Sequence, residues 1–275
     1  MRISISHTNQ FRYARPAKGV IQTIRMTPRN HAAQHVARWR VEIDADARLR
    51  QGEDAFGNVA HTLDATGPIE GLSIHVEGEV ETRDAAGVVS GATERFPAEF
   101  FFRSTDLTAL TPEMADYAQE ARRACGEQRD FLNVMHGLMS ALHRDIALNL
   151  DPAEAGGKAV DAFQARRGAG ADHAHIFCAM ARHLGVPARF VSGYFRRSDD
   201  KAGDAAGHAW AEVNIGGLGW VGFDAANNVC ATEAHVRVAA ALDQLGAAPV
   251  RGSHIGGSEE TLSVVIKIMQ LQMQS

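Results

Sequence analysis

The sequence predicts an α+β protein in two lobes, and three observations carry that prediction. Residues 1 to about 100 alternate apolar and polar side chains between turn clusters, helical periodicity sets in at Thr111, and strand-like alternation returns from Ala188 onward. At 275 residues the chain exceeds the usual length of one domain, so two units sharing an interface are expected: a β-rich unit over 1–105 and a mixed unit over 106–275.

Composition narrows the function classes. The 28 Lys and Arg against 33 Asp and Glu give a net charge of −5, and no basic surface of the kind that phosphate binding demands is evident, which argues against nucleic acid as a partner. Arg122-Arg123 and Arg196-Arg197 are short and stand beside acids, as solvated surface does. The opening residues MRISISHTNQFRY alternate like a strand and unlike a signal peptide, and no segment is long and apolar enough to span a bilayer. Three scattered cysteines, Cys125, Cys178 and Cys230, suit reduced thiols better than a disulfide framework or a zinc cluster. A cytoplasmic protein with no membrane contact is the expectation.

The elements follow in order. Ile3 and Ile5, Phe11 and Tyr13, then Ile21, Ile24 and Met26 are spaced for strands, and Trp39 to Ile43 and Ile74 to Val80 alternate strictly. Asp54-Ala55-Phe56-Gly57-Asn58 reads as a tight reversal in which Gly and Asn supply positive φ. Short strands with regular turns imply a sandwich or barrel. Thr111-Pro112-Glu113 opens a helix with an N-cap, a proline at the first position and an acid in the first turn. A second helix is predicted from Phe131 to Asp145, with Leu132, Met135, Leu138, Met139 and Leu142 on one face. A third, from Asp172 to His183, ends at Gly185 with Pro187 beyond it. Strands at Ala188–Tyr194, Ala209–Ile215, Trp220–Phe223 and Leu262–Met269 close the chain, and the loop from Arg196 to Gly207 is expected to be mobile.

Arg166 to Tyr194, RRGAGADHAHIFCAMARHLGVPARFVSGY, followed by Gly207-His208-Ala209-Trp210 and Gly219-Trp220-Val221-Gly222-Phe223-Asp224, resembles the catalytic core of bacterial transglutaminase-like proteins in the papain-like thiol superfamily. His7-Thr8 with Tyr13, Arg25-Met26-Thr27-Pro28-Arg29, Gln34 and Asp54 to Asn58 are similar to the N-terminal domain that accompanies such cores. The resemblance implies a papain-like core over about 155–228, a helix packed on an antiparallel sheet, preceded by a β-rich, sandwich-like domain. It also implies a catalytic His and Asp at His208 and Asp224. Where the family reads Gly-Val-Cys-Gln-Asp, this chain reads Gly168-Ala169-Gly170-Ala171-Asp172, so Gly170 stands at the nucleophile's place. His235-Val236-Arg237-Val238 and Pro249-Val250-Arg251-Gly252 resemble family text beyond the core, with Ala241-Leu242-Asp243-Gln244 where Gly-Arg-Asp-Tyr or Gly-Leu-Asp-Tyr is usual.

The chemistry of such a core explains why the difference matters. A helix N-terminus favours a thiolate, an imidazole serves as base and then acid, a carboxylate orients the imidazole, and free N–H groups hold the oxyanion. Gly170 has no side chain to serve as nucleophile. Cys178 lies eight residues along the same helix, roughly 12 Å away at about 1.5 Å per residue, and reads as core; Cys230 in the loop after Asp224 lacks a helix start to activate it. Asp172, His173, Trp210 and Arg237 are candidate binding residues, and Arg251 a further carboxylate partner. His173 and His175, two apart on a helix, point about 200° apart and cannot share a metal. His173 with His208 and Asp224 is a conceivable metal set, although packing is the commoner use of such residues, and no cofactor is expected.

Two functions remain open at this point. One is a pseudoenzyme that keeps the cleft to bind a peptide or small amide. The other is an amide or peptide hydrolase or amidotransferase in which His208 and Asp224 activate water, with or without a metal. Further departures at Ala171, Ala225, Ala226 and Gln244 speak against a deliberate single-site inactivation. The resemblance also suggests an ATP-grasp-type partner protein, since relatives often sit beside one.

Overall fold

Apolar residues at every second position, sustained far longer than the turn signals suggest, build the first element. β1 (Arg2–Thr27) is a 26-residue strand whose odd-numbered side chains are buried from Ile3 to Tyr13 and whose even-numbered ones are buried from Val20 onward. The computed structural model describes residues 1–126, 130–149, 156–197 and 207–271. β2 (Gln34–Asp44), β3 (Ala47–Glu53) and β4 (Val59–Thr82) follow, then the short β5 (Val88–Val89).

The helical stretch begins as the capping residues dictate. In α1 (Pro112–Ala124) the Thr111 side chain accepts from the Met114 N–H, and in α2 (Phe131–Asp145) Asp130 accepts from the Asn133 N–H. β6 (Ala147–Leu148), α3 (Ala159–Ala165) and β7 (Arg167–Gly168) lead to α4 (Gly170–His183). The chain ends with β8 (Ala188–Phe195), β9 (His208–Ile215), β10 (Gly219–Asp224), β11 (Val229–Cys230), β12 (His235–Ala241), α5 (Gln244–Ala247) and β13 (Val250–Gln270). Among the described residues no helix is long and apolar enough to cross a membrane.

Two antiparallel sheets carry the fold. The first has the order β13-β1-β4-β2, with β3 also on β4. Its strands break at one level: β1 slips register against β4 between Arg12 and Gly19, and β2 and β3 are separated by residues 45–46. Irregularities stacked in this way bend a sheet. Phe11 and Tyr13 before the break share one core with Val20, Ile24 and Met26 after it, together with Leu63 and Leu72 of β4. The two layers that the sequence suggests are therefore the two halves of a single bent sheet. Pro16 is tolerated inside β1 because it falls at this break, where ladder hydrogen bonds are already lost.

The division at residue 105 needs correction at the C-terminus. β13, expected with the second unit, pairs antiparallel with β1 from Ile3↔Gln270 to Ile24↔Val250. A sheet edge gains a ladder of backbone hydrogen bonds in this way, and that local gain outweighs the proximity of β13 to the core in sequence. In the other direction, β5 pairs with β10 of the second sheet.

The second sheet has the order β11-β10-β9-β8-β12, and α4 packs on it through the largest apolar cluster. Phe177 of α4 stacks on Phe223 of β10 with ring centroids 5.5 Å apart and planes 19° apart. Such a pair adds about 0.5–1.5 kcal/mol to the burial of its surface, and here it ties the helix to the strand that ends in Asp224. The two sheets meet through Ile3, Ile5, Val80 and Ile266 on one side and Tyr194, Val236 and Val238 on the other. Residues 198–206 of the loop expected to be mobile lie outside the described residues.

Candidate active site

The start of α4 is built from small residues for a steric reason. A Cβ at Gly168 would lie 2.7 Å from the Asp172 Cβ, and one at Gly170 would lie 3.1 Å from His208 Nδ1. The N-cap Ala169 has no side-chain oxygen, so the helix is capped from the other end: Asp172 Oδ2 accepts from the Ala169 N–H at 2.8 Å. The N–H groups of Gly170 and Ala171 have no acceptor within the helix, as at any helix start, and the Gly170 backbone stands against the His208 ring.

His208 opens β9, and Asp224 ends the adjacent antiparallel strand β10. His208 Nε2 donates to Asp224 Oδ2 at 2.7 Å. Asp224 is fully buried, and its Oδ2 also faces His235 Nε2 at 3.2 Å and Asn227 Nδ2 at 2.6 Å, while Oδ1 accepts from the Asn227 N–H at 3.2 Å. Burial alone would raise this carboxyl's pKa, but the hydrogen bonds from the two imidazoles hold it far below the usual carboxylate range.

The hydrogen bonds fix the tautomers. Asp224 is an ionised acceptor, so each histidine presents Nε2–H to it. The Thr232 N–H donates to His235 Nδ1 at 3.0 Å, which leaves the His235 proton on Nε2. Burial, partly offset by Asp224, lowers the pKa of His235 and keeps its ring neutral. On His208 the same logic directs the Nδ1 lone pair toward Gly170, where a base needs it.

This arrangement corrects the metal set drawn from sequence. His173 is 1% exposed, and its two ring nitrogens face the carbonyls of Ala169 at 2.9 Å and Ile146 at 3.2 Å. The helix turns it inward, away from the dyad. Among the described residues the potential ligand cluster is His208, Asp224 and His235, whose donor atoms lie within 4.8 Å of one another. Ligation through His235 Nε2 would move its proton to Nδ1, against the Thr232 N–H. The triad is thus satisfied by hydrogen bonds and is poorly suited to a cation.

The other predicted binding residues are largely committed to the fold. Asp172 is buried as the helix cap. Trp210 is 2% exposed and forms a wall behind the dyad, stacked on His208 with centroids 6.1 Å apart and edge-on to His235 at 5.2 Å. Arg237 donates to Glu212 from Nε at 2.7 Å, Arg189 donates to the same carboxylate at 2.6 Å, and Arg189 reaches on to Glu94 at 2.7 Å. Burial opposes ionisation of Glu212, but the two guanidiniums outweigh it and hold its pKa at about 2. Arg251 Nη1 lies 3.3 Å from the Leu245 carbonyl.

His235 and Asn227 are the site residues that the sequence reading missed. His235 stands in the sequence only within text resembling the family, with no strand expected over it. The strict alternation His235-Val236-Arg237-Val238 was the available signal.

None of the three thiols stands at the dyad. Cys178 is fully buried, and burial pushes its pKa up to about 11. Cys230 lies on β11 opposite Phe223, with its pKa raised by burial and by the Asp84 charge. Cys125 caps α1, its Sγ 3.3 Å from the Ala121 carbonyl.

A helix start set against a His and an Asp on neighbouring antiparallel strands defines a papain-like core. Residues 115–225 match the model of the transglutaminase-like superfamily, and residues 3–81 match that of the bacterial transglutaminase-like N-terminal region. The two matches and the geometry agree on a transglutaminase-like, papain-like fold. An uncharacterized protein of Mycobacterium leprae (strain TN) is 28% identical over 281 residues, covering 98% of this chain and 99% of the relative. The crystal structure of a candidate cysteine protease from Cytophaga hutchinsonii superposes with a TM-score of 0.77 at 17% identity, over 100% of this chain and 92% of that one, and so shares the fold.

Proposed function

We propose that this chain is a transglutaminase-like protein without thiol chemistry, whose cleft binds a peptide or small amide. One observation carries the reading: the residue at the start of α4 that faces His208 Nδ1 is Gly170, which we take to occupy the nucleophile's position. Neither Cys178, whose thiol burial pushes up to about 11, nor Cys230, which is also raised, offers a thiolate in its place. Reduced thiols suit a cytoplasmic setting. An ATP-grasp-type protein is the partner class that we retain.

A second reading has its own support. The Asp224-held His208 directs the Nδ1 lone pair to the space beside Gly170, as general-base activation of water requires. In that case water would add to an amide carbonyl, Nδ1 would take its proton and return it to the leaving amine, and the N–H groups of Gly170 and Ala171 would face the oxyanion.

Incubation with a glutamine-containing peptide, with and without a labelled primary amine, separates the two. The binding reading expects neither ammonia release nor amine incorporation, and no acyl adduct by intact mass. Ammonia release that survives alkylation of every thiol and disappears in His208→Ala would overturn it in favour of water activation.

A further inference from the structure

The two edges of the first sheet are built differently. One edge is formed by β2 and β3, which expose Arg38, Arg40, Glu42 and Asp44, then Arg48, Arg50 and Glu53. Charges along an edge oppose the approach of another strand, because pairing would strip them of water. The other edge is β13, whose outward backbone groups have no partner strand among the described residues. From Thr261 to Leu271 it reads TLSVVIKIMQL, and Lys267 is the one charge.

Apolar side chains occupy both faces of this edge. The pairs Phe11↔Leu262, Asn9↔Val264, His7↔Ile266 and Ile5↔Ile268 set the even-numbered residues on the face that carries the buried side chains of β1, so Ser263, Val265, Lys267 and Met269 lie on the opposite face. Leu262 is 52% exposed, Val264 and Val265 49% each, and Met269 54%. A long strand with open backbone groups and open apolar side chains is a template for pairing with a further strand.

The order of residues says which strand fits. Outward from Val265 the polarity mirrors itself: Val264 and Ile266 are apolar, Ser263 and Lys267 polar, Leu262 and Ile268 apolar. Two copies laid antiparallel about a two-fold axis at Val265 set Val264 against Ile266, Leu262 against Ile268, Ser263 against Lys267, and Val265 against itself. No like charges meet. Moving the axis to Val264 sets Ile268 against Glu260, and moving it to Ile266 sets Val265 against Lys267. Pairing from Glu260 to Gln270 forms about ten inter-chain backbone hydrogen bonds, as many as a whole interface of standard size carries.

We propose that the protein forms a two-fold dimer through β13, in which a second copy of the chain continues the first sheet across both molecules. The joined sheet then ends on both sides in the charged edges of β2 and β3, which closes the assembly at two copies. The dimer is independent of either reading of the dyad.

Sedimentation of the full chain tests this. A species of twice the 29.6 kDa chain mass is expected, dissociating on dilution. Val265→Lys brings two ammonium groups face to face on the axis and removes an apolar contact, so it should weaken the dimer about tenfold or more. Val265 is exposed in the single chain, and the variant should melt as the parent does once both are diluted to monomer. In a second measurement, Val265→Cys should yield a covalent dimer under mild oxidation, mapped to the introduced thiol by peptide mass. Lys267→Cys should not, because its two thiols would fall four residues apart, about 13 Å along the strands. A single species of the chain mass at every concentration would overturn the proposal and leave β13 to a strand of a different protein. A dimer of parental strength in Val265→Lys, with no cross-link in Val265→Cys, would place the interface on another face and overturn it as well. Cross-linking at Lys267→Cys or Ser263→Cys in preference to Val265→Cys would overturn the register. If Val265→Lys fails to fold, the cross-linking contrast decides alone.

Discussion

A Cβ placed on Gly170 would lie 3.1 Å from His208 Nδ1 and 3.2 Å from Cε1, so the first turn of α4 approaches the imidazole closely enough to crowd any side chain there. The ring would have to give by a few tenths of an ångström to admit one. That relationship sets the terms for placing a thiol at this position.

Gly170→Cys is expected to place a thiol against an imidazole held by Asp224 at 2.7 Å, at a helix end with free N–H donors. Alkylation by iodoacetamide at pH 6 should be much faster at this thiol than at Cys125, Cys178 or Cys230, and the excess should vanish when His208→Ala is added. Equal rates with and without His208 would show that the crowded ring turns away instead of pairing. Turnover need not follow, because Ala225 and Ala226 are buried beside Asp224 and leave the pocket shaped differently from the family pattern.

Much of this site was legible because its parts are short-range. Thr111-Pro112 and the α2 face predicted the helices closely, since caps and a 3.6-residue period are local signals. His208 and Asp224 were placed by resembling text, and the strand pairing brings them together. The bend of β1 was hidden because Pro16 and Gly19 look like a turn in sequence, while only the break at the same level in the partner strands keeps the strand running. The turning inward of His173 and the approach of His235 depend on which carbonyls and carboxylates lie nearby, and periodicity carries no information on that.

Asp224 should matter to stability as well as to alignment. Asp224→Ala leaves the Nε2–H groups of His208 and His235 and the Asn227 amide without their acceptor in a buried site. Loss of about 2–4 kcal/mol in urea unfolding is expected. Asp224→Asn should cost less, because one acceptor oxygen survives. A change within 0.5 kcal/mol, roughly the scatter of surface substitutions, would mean that the triad is not formed in solution.

Arg237 distinguishes a ligand contact from a structural ion. Its Nε lies 2.7 Å from Glu212, which is fully buried. Removing one partner of such a pair costs about 3–5 kcal/mol, because a buried charge is left short of its counterion. Arg237→Ala should therefore destabilise strongly, and adding Glu212→Gln should recover part of the loss. A folded Arg237→Ala protein of parental stability with weakened peptide binding would instead return Arg237 to the ligand-binding role that its sequence position suggested.

Acid should weaken the fold before its carboxylates titrate, and His7 is a measurable part of the cause. Burial, only partly offset by the Asn9 hydrogen bond, lowers its pKa from 6.5 to about 4. Between those values the unfolded chain binds a proton that the native ring refuses, so stability is present in full above pH 6.5 and is lost as pH falls toward 4. Below about 4 the native ring also protonates, and this group adds no further loss. A shift of this size corresponds to about 2–3 kcal/mol between pH 7 and pH 4.5. Glu212, with its pKa near 2, loses its contribution only at lower pH, which keeps the two effects apart. His7→Gln cannot titrate, and its amide can still hydrogen-bond Tyr194 or Asn9, so its urea-unfolding free energy should fall by about 2–3 kcal/mol less than the parent's over that interval. Parallel pH profiles for the two proteins would mean that His7 is not buried as a neutral ring.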